Sequence, residues 1–391
     1  MRFKNIYIVY IIVVFLTGSC VKPFDYQNID YERAIVVDGL ITNEKTAHTI
    51  KLSYSSQIDI PENIPITGAS VWIDVSDGST ILLAEVEPGN YKTAADIEGI
   101  PGNSYTLNFS LSDGKSYTST SETLSLPIAI DSIYTQYAEL PSEISGLNEQ
   151  GIQFFIDSHD DTKNSKFFRY EWEGTYKIIT PYNSFYDFDY QTNNYFYRTD
   201  PVNICYSTDY SNNLIVGNSL NNEFGKIVEL PILFIPGESY KIRTRYSMLV
   251  KQYSITQGAY TFYKKLKESN ETGGFLFDKQ LGSIIGNIVN KQDLSEPVLG
   301  FFEVSSVSEQ RRFFNLRDLD SRIGIPPFKY KCDFNEVINT SNDSISYYLN
   351  RDRSLNIINI AFMTTPAMLM NKECTNCSWY ATTTKPDFWI D

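Results

Sequence analysis

Histidine is scarce in this chain, which has only His48 and His159 among its 391 residues. That leaves little room for a metal centre built from several histidines, because such sites need clustered ligands. Basic residues are also in the minority, with 33 lysines and arginines against 47 acidic residues and a net charge of −14. A general nucleic-acid binder needs a basic face that replaces counterions, so this charge balance argues against that class.

The common catalytic signatures are absent too: the sequence has no GxSxG, HExxH, P-loop or GxGxxG motif. Paired carboxylates such as Glu171 and Glu173 share one face of a predicted strand, where they need only water. His159 is followed by Asp160 and Asp161 in a polar stretch typical of a turn, without a placed nucleophile. We therefore expect no enzyme, no cofactor and no bound metal, and a hydrolase is the least favoured alternative.

The main apolar run lies at the N-terminus, in residues 6–16, and is shorter than the roughly 20 residues that span a bilayer. Arg2 and Lys4 precede it and small residues follow it, as in a secretory signal peptide. The small residues end at Cys20 and resemble a bacterial lipobox, although Thr17 stands where leucine is usual. We predict a signal peptide in 1–19 and an acylated Cys20; the alternative is an ordinary signal with a disulfide-bonded Cys20.

Four further cysteines predict disulfides in an exported protein. They are Cys205, Cys332, Cys374 and Cys377, and the last two form a CxxC motif. Zinc or redox chemistry is an alternative, but the sequence has no second CxxC and no βαβ pattern. We favour a bridge from Cys332 to either CxxC cysteine, which would hold the aromatic C-terminal tail on the rest of the chain. A local Cys374–Cys377 bridge stays open.

The N-terminal part predicts a β-sandwich over residues 34–125, after a tether in 20–33. Short alternating segments occur at 34–42, 48–55, 69–93 and 104–119, with turn signals at Asp77-Gly78 and Asp113-Gly114. Asp38-Gly39 predicts a further turn or bulge. The GASV, GNY and GNSY segments from residues 68, 89 and 102 resemble immunoglobulin-like or transthyretin-like modules of secreted bacterial proteins, in which the tyrosine packs inside.

Residues 126–391 predict a larger β-rich domain with one or a few short helices. Segments 152–158 and 167–179 alternate as strands, and in the second Arg169 falls on the same wet face as Glu171 and Glu173. Residues 255–269 place apolar side chains at helical spacing and predict an amphipathic helix. Arg311-Arg312 is interpreted as a solvated pair or a partner contact.

Residues 181–200 are unusually rich in aromatic and Asn/Asp residues. One interpretation is an exposed aromatic surface of the kind that stacks on sugars or peptides. The other is a twisted hairpin that packs its own rings. The candidate binding residues are Tyr182, Phe185, Tyr186, Tyr190, Tyr195 and Tyr197.

Several short motifs together resemble a Bacteroidota lipoprotein family labelled domain of unknown function 4249. They include VVDGLIT at 36–42, RYS at 245–247, GGFLFD at 273–278, VLGFF at 298–302, CTNC at 374–377 and KPDFW at 385–389. Thr382-Thr383-Thr384 departs from the pattern, which has a glycine pair there. The resemblance implies an outer-membrane lipoprotein that acts beside TonB-dependent receptors, and it brings no catalytic residues.

We therefore expect a lipid-anchored envelope accessory or binding protein that works with a TonB-dependent receptor barrel in nutrient uptake. Its ligand is left open between glycan, peptide and metal chelate. The alternative is a structural or adhesive envelope lipoprotein without a small ligand. Surface export in this phylum is associated with acidic residues soon after the cysteine, and here Lys22 precedes a single acid, Asp25. The periplasmic or surface-facing side is thus undecided.

Overall fold

A computed structural model describes residues 33–56, 64–141, 146–222, 225–272, 284–332, 342–359 and 368–391. The predicted signal peptide, Cys20 and nearly all of the tether lie outside the described residues. The described chain is mostly β with two α-helices, which confirms the predicted fold class. None of its helices combines the length and apolar character that crossing a membrane requires.

In the described ranges, the regular structure comprises twenty-three strands, two α-helices and four short 3-10 helices. The first nine strands are β1 (Ile35–Ile41), β2 (Thr49–Tyr54), β3 (Ile64–Pro65), β4 (Ser70–Val75), β5 (Thr80–Glu87), β6 (Asn90–Lys92), β7 (Ser104–Ser110), β8 (Ser116–Ser119) and β9 (Glu122–Thr123). The next nine are β10 (Ile130–Pro141), β11 (Asn148–His159), β12 (Phe167–Ile179), β13 (Tyr186–Asp189), β14 (Asn194–Tyr197), β15 (Ile204–Tyr210), β16 (Ile215–Asn218), β17 (Lys226–Pro236) and β18 (Arg245–Ile255). The remaining elements are α1 (Gln257–Thr272), β19 (Ile288–Asn290), β20 (Val298–Val304), β21 (Ser306–Asn315), α2 (Asn342–Arg351), β22 (Leu355–Asn359) and β23 (Met368–Asn371).

The first sheet has eleven strands and is nearly closed, like a barrel. Its order is β19-β8-β7-β4-β5-β6-β2-β1-β20, with β3 beside β2 and β9 beside β7. The two end strands approach each other through a bridge between Ile285 and Leu299. Strands β19 and β20 come from far along the chain, and β20 pairs with β1 in parallel. The domain division at residue 125 stays a prediction, but this sheet contains residues from both sides of it.

Alternation along the barrel strands follows the predicted pattern. Val37, Ile73 and Leu107 are fully buried, and the hairpin glycines Gly78 and Gly114 adopt positive φ. Tyr91 is also fully buried, and its hydroxyl donates to the carbonyl of Ile66 at 2.8 Å. The tyrosine therefore occupies the interior position that the module resemblance implies.

The turn or bulge predicted at Asp38-Gly39 is wrong. Strand β1 runs without a register shift against β2 and β20 through this dipeptide. Gly39 is instead needed for close packing, because a Cβ there would lie 2.6 Å from Cδ1 of Ile50 and 3.2 Å from Phe302. Asp-Gly is common in turns, but this glycine lies inside a strand, where its lack of a side chain makes room for Ile50.

Two further sheets share one core behind the barrel. Strands β10-β11-β17 form one sheet. Strands β15-β12-β18-β21, with β16 beside β12, form the other, which we call the second sheet. Strand β12 has the bounds predicted for it, and β11 extends the predicted 152–158 at both ends. The shared core includes Phe154, Tyr170, Tyr246, Met248 and Phe314.

The predicted helix is present as α1 and begins two residues later than expected. Ile255 still belongs to β18, and the Thr256 hydroxyl caps the helix by accepting from the N–H of Ala259 at 3.2 Å. Ala259 is buried, and Phe262 lies against Phe301 of β20 with ring centroids 5.2 Å apart. The helix thus covers the junction between the barrel and the second sheet.

A buried ion pair lies under α1 and corrects the prediction of a wet face on β12. Arg169 is 7% exposed and donates two hydrogen bonds to Glu303 of β20, at 3.0 and 3.2 Å. The Tyr263 hydroxyl of α1 donates to the same carboxylate at 2.6 Å. Glu171 accepts from Arg169 and from Tyr253. Alternation assigned Arg169 to the correct face, but β20 and α1 cover that face.

Arg169 stays charged in spite of its burial. Burial by itself would lower the pKa of Arg169, but the Glu303 carboxylate reverses that effect and raises the pKa above its usual value. Burial, and then the charge on Glu303, also raise the pKa of the Tyr263 hydroxyl well above its usual value. The hydroxyl therefore remains protonated and donates to Glu303.

Arg311 and Arg312 also bind inside the chain. Arg311 donates to Glu173 at 3.0 Å, so this second carboxylate of the predicted wet face has a partner as well. Arg312 donates to the carbonyl of Ile133 at 2.6 Å. The interpretation as a merely solvated pair is therefore wrong, because strands β10 and β12 supply acceptors within reach.

Removing one member of the buried pair is expected to be costly. Arg169→Met leaves Glu303 buried without its cation, so we expect the free energy of unfolding to fall by about 3–5 kcal/mol. The double variant Arg169→Met/Glu303→Leu should lose less than either single change. Urea denaturation followed by tryptophan fluorescence measures this. The control is Lys264→Met in the exposed Lys264–Glu268 pair, with an expected change of about 0.5 kcal/mol or less. Equal losses in Arg169→Met and Lys264→Met would contradict the assignment.

Candidate binding surface at the disulfide-linked C-terminal segment

Two disulfides hold the C-terminal segment. Cys205 of β15 is bonded to Cys377, and Cys332 is bonded to Cys374, with Cα–Cα distances of 5.9 and 5.7 Å. The favoured prediction, a long bridge from Cys332 to the CxxC motif, is confirmed. The local Cys374–Cys377 bridge and a zinc site on these four sulfurs are therefore wrong. Cys205 and Cys377 also belong to the large core, so this bridge ties the segment to the second sheet.

The chain end docks on the same sheet, as predicted. Trp389 is 4% exposed, and its ring contacts Tyr206 and Phe313 at centroid distances of 5.0 and 5.4 Å. The guanidinium of Arg311 lies 3.5 Å from the ring centroid of Phe388. The carboxylate of Asp391 accepts from Lys177 at 2.8 Å. Aromatic contacts and ion pairs together fix the last residues.

The aromatic segment 181–200 contains the antiparallel hairpin β13–β14. The ring of Tyr186 makes edge contacts with Tyr195 and Tyr197 at 5.9 and 5.8 Å, and Phe188 does the same with Tyr190 at 4.9 Å. Of the two interpretations of this segment, the structure shows the twisted hairpin that packs its own rings.

The six candidate binding residues do not form one exposed platform. Tyr186, Tyr190 and Tyr195 are half-buried against a small core that contains Phe188, helix α2 and strands β22 and β23. Phe185 and Tyr197 are exposed. Tyr182 is half-buried, and its backbone N–H donates to the carbonyl of Cys374 at 3.2 Å. The hairpin is thus joined to the CxxC motif.

A different set of side chains forms a mixed surface beside the hairpin. The Lys372 ammonium lies 4.6 Å from the ring centroid of Trp379 and 5.7 Å from that of Tyr190, and the Arg353 guanidinium lies 5.0 Å from the Tyr190 centroid. We call Arg353, Tyr190, Lys372 and Trp379 the cation–aromatic row. Sequence reasoning singled out only Tyr190, because the four residues come from three separate segments.

The row carries positive charge without a close carboxylate. Partial burial lowers the pKa of Lys372, and the nearby Arg353 adds to this effect while Asp187 opposes it. Asp187 itself is paired with Arg198 at 2.9 Å. In the part of the chain that the structure describes, no carboxylate oxygen lies within 4.0 Å of the Lys372 ammonium or the Arg353 guanidinium.

Two of the cavities in the described part of the chain lie away from the row. The larger, of 760 Å³, is an open groove between residues 147–150, 236–238 and 322–327. The second, of 480 Å³, lies beside α1 and is lined in part by Glu122, which accepts from Thr256 at 2.6 Å and Thr120 at 2.8 Å. No cluster of three metal-ligating side chains occurs within the described ranges.

The two histidines have opposite environments. His48 is 4% exposed, no described residue hydrogen-bonds its Nε2, and burial lowers its pKa below 6.5. His159 ends β11 at the surface, with its Nδ1 2.6 Å from the carboxylate of Asp131, and this hydrogen bond and charge raise its pKa. Asp160 closes the predicted turn by accepting from Thr162 and Ser165.

Comparison with known proteins identifies the family. The family model described as "Domain of unknown function (DUF4249)" matches residues 21–311, which is most of the chain. The chain belongs to this family. The family match thus extends over the barrel and most of the strands of the second part, and it includes β20 and its buried Glu303.

No curated protein matches the chain. Among solved structures, one similar chain is a DUF4785 family protein from Legionella pneumophila, with 10% sequence identity and a TM-score of 0.18. The match covers 56% of this chain and 51% of that one, so this chain spans about half of its length. At this TM-score we draw nothing from the similarity.

The two disulfides should differ in their susceptibility to reduction. Cys332 is half-buried, whereas Cys205 and Cys377 are fully buried, so a mild thiol reductant should open Cys332–Cys374 first. Differential alkylation followed by mass spectrometry measures the order. In the chain-entropy model, the Cys332–Cys374 bridge contributes about 4 kcal/mol to the free energy of unfolding. Before reduction, peptide mapping should recover only the Cys205–Cys377 and Cys332–Cys374 pairs; opening of Cys205–Cys377 first would contradict the burial argument.

The histidines should titrate on opposite sides of pH 6.5. In untagged protein, ¹H NMR should show one imidazole with a midpoint below this value, His48, and one above it, His159. His159→Gln assigns the signals by removing the upper one.

The same shifts make stability depend on pH. Because folding lowers the pKa of His48, its contribution to stability is present above pH 6.5 and is lost as the pH falls. The contribution of His159 is present below pH 6.5 and is lost as the pH rises through its raised pKa. Two coincident midpoints would contradict both assignments.

Proposed function

We propose that this protein is an exported lipoprotein of the outer membrane that binds a ligand as an accessory of a TonB-dependent receptor in nutrient uptake. The pairing of the cysteines is the observation that carries the anchoring part. The chain has five cysteines, and the four after Cys20 are bonded to one another. This removes the intrachain partners that a disulfide-bonded Cys20 would need, and it favours acylation of Cys20 within its lipobox-like sequence.

The rest of the proposal has separate supports. Formation of two disulfides fits an oxidising compartment outside the cytoplasm. The receptor partnership rests on the resemblance in the sequence. The binding role is supported by the exposed Trp379 of the cation–aromatic row and by its cations, which have no carboxylate oxygen within 4.0 Å among the described residues. Strand β1 begins at Ile35, so the chain from Cys20 reaches at most about 50 Å before the barrel begins. An anchored barrel would thus stay close to the membrane.

Replacement of Cys20 tests the anchor. Cys20→Ser should move the protein from the membrane fraction to the soluble fraction and abolish the acylated N-terminal peptide detected by mass spectrometry. Ser19→Ala is the matched control, because it keeps a small residue beside the cysteine, and it should remain membrane-bound. Unchanged fractionation and an unmodified Cys20 in the wild-type protein would refute lipid anchoring.

Cross-linking in cells, followed by purification of the tagged protein from solubilised outer membranes, tests the receptor partnership. A TonB-dependent receptor barrel should co-purify. If none does, the receptor part fails and a structural or adhesive role takes its place, in which deletion alters surface attachment but not growth on defined nutrients. Proteinase treatment of intact cells decides the side: digestion indicates the cell surface, and protection indicates the periplasm.

A further inference from the structure

We propose that the cation–aromatic row binds an anionic saccharide, with the acidic group on Lys372 and Arg353 and a sugar ring on Trp379. This inference gives a ligand class to the binding role proposed above and rests on it. Three observations support it: the row is held in position, no described carboxylate oxygen lies within 4.0 Å of its cations, and its Trp379 ring is exposed.

The disulfides hold the row in position. Lys372 lies two residues before Cys374, and Trp379 lies two residues after Cys377. The backbone N–H of Lys372 donates to the carbonyl of Ser354 at 2.7 Å, which joins it to the turn that carries Arg353. A site whose backbone is fixed before binding loses less conformational entropy when the ligand arrives.

A short cap fixes the other end of the row. The side chain of Asn376 accepts from the N–H of Ser378 at 2.9 Å and so caps the 3-10 helix Cys377–Trp379. On the hairpin side, Tyr190 is held by its edge contact with the buried Phe188. All three segments that supply the row are therefore anchored by covalent bonds, hydrogen bonds or core packing.

The cations of the row can pair with an anionic ligand. Several internal cations of this acidic protein have carboxylate partners, as Arg169 has Glu303 and Arg198 has Asp187. Lys372 is partly removed from water, and its ammonium lies 4.6 and 5.7 Å from the ring centroids of Trp379 and Tyr190, with no described carboxylate oxygen within 4.0 Å. An anion that reached this ammonium would replace lost hydration with a charge-assisted hydrogen bond.

The exposed ring narrows the ligand class. Trp379 is 62% exposed, and the Lys372 ammonium lies over its ring, 4.6 Å from the centroid, in contrast to the self-packed rings of the hairpin. An inorganic anion would need the cations but not this ring. A saccharide with a carboxylate or sulfate would use both, because the CH face of a pyranose packs on an aromatic ring while its acidic group reaches Lys372.

Titration calorimetry on the full chain, purified in detergent, tests the inference. The probes are tetragalacturonate, a heparin tetrasaccharide, neutral maltotetraose and tetraglutamate. At least one anionic saccharide should bind, and its affinity should fall with added salt because the contact is ionic. The two acidic sugars distinguish carboxylate from sulfate as the source of the charge. Binding of maltotetraose or tetraglutamate as tightly as the acidic sugars, or no binding of either acidic sugar, would overturn the inference.

Variants locate the binding. Lys372→Gln and Trp379→Ala should each raise the dissociation constant by about tenfold or more, and Lys372→Arg should retain most of the affinity. Lys264→Gln and Tyr210→Ala, an exposed lysine and an exposed aromatic residue outside the row, are the matched controls and should bind like the wild type. Affinity that is unchanged in Lys372→Gln and Trp379→Ala would overturn the inference. Near-ultraviolet circular dichroism verifies that each variant is folded.

The titration and the cell experiments fail independently. Binding of an acidic sugar by protein that captures no receptor would keep this inference and remove the receptor partnership. Capture of a receptor by protein that binds no acidic sugar would do the reverse.

Discussion

The arrangement of the barrel and the second sheet depends on one interaction, the buried pair of Arg169 and Glu303. Glu303 belongs to the barrel strand β20, Arg169 belongs to β12 of the second sheet, and Tyr263 of α1 completes the contact. One residue after β20 ends, the chain begins β21 of the second sheet. The barrel and the second sheet are therefore joined by continuous backbone and by a buried charge pair at the same place, so a change that left one of these charges buried without its partner would be costly.

Local patterns in the sequence predicted the strands well but not their neighbours. The hairpin turns at Gly78 and Gly114 and the bounds of β12 follow from turn residues and period-two alternation. Alternation shows which side chains share a face, but it does not show what covers that face, so the burial of Arg169 under β20 was missed. The parallel pairing of β20 with β1 joins residues more than 250 positions apart, and no local signal marks such a partner.

Of the candidate site, the sequence predicted the fixed C-terminal segment but not the side chains that form the row. The CxxC motif and the aromatic tail predicted that the chain end is fixed, and the disulfides and Trp389 confirm it. The cation–aromatic row was not predictable, because its members come from three segments that only a backbone hydrogen bond and ring contacts bring together. Tyr190 was singled out for the density of rings around it, yet most of those rings pack on one another.

The small core beneath the row explains why covalent bonds are used there. Among the described residues it has six buried members, far fewer than the core shared by the sheets of β11 and β12. A core of that size contributes little stability by burial alone, as in small disulfide-rich domains. Cys205–Cys377 links the region to the large core, and Cys332–Cys374 links its edge to the segment before α2. The large core thereby supports this surface, where Trp379 is exposed and no carboxylate oxygen of the described residues lies within 4.0 Å of the Lys372 ammonium.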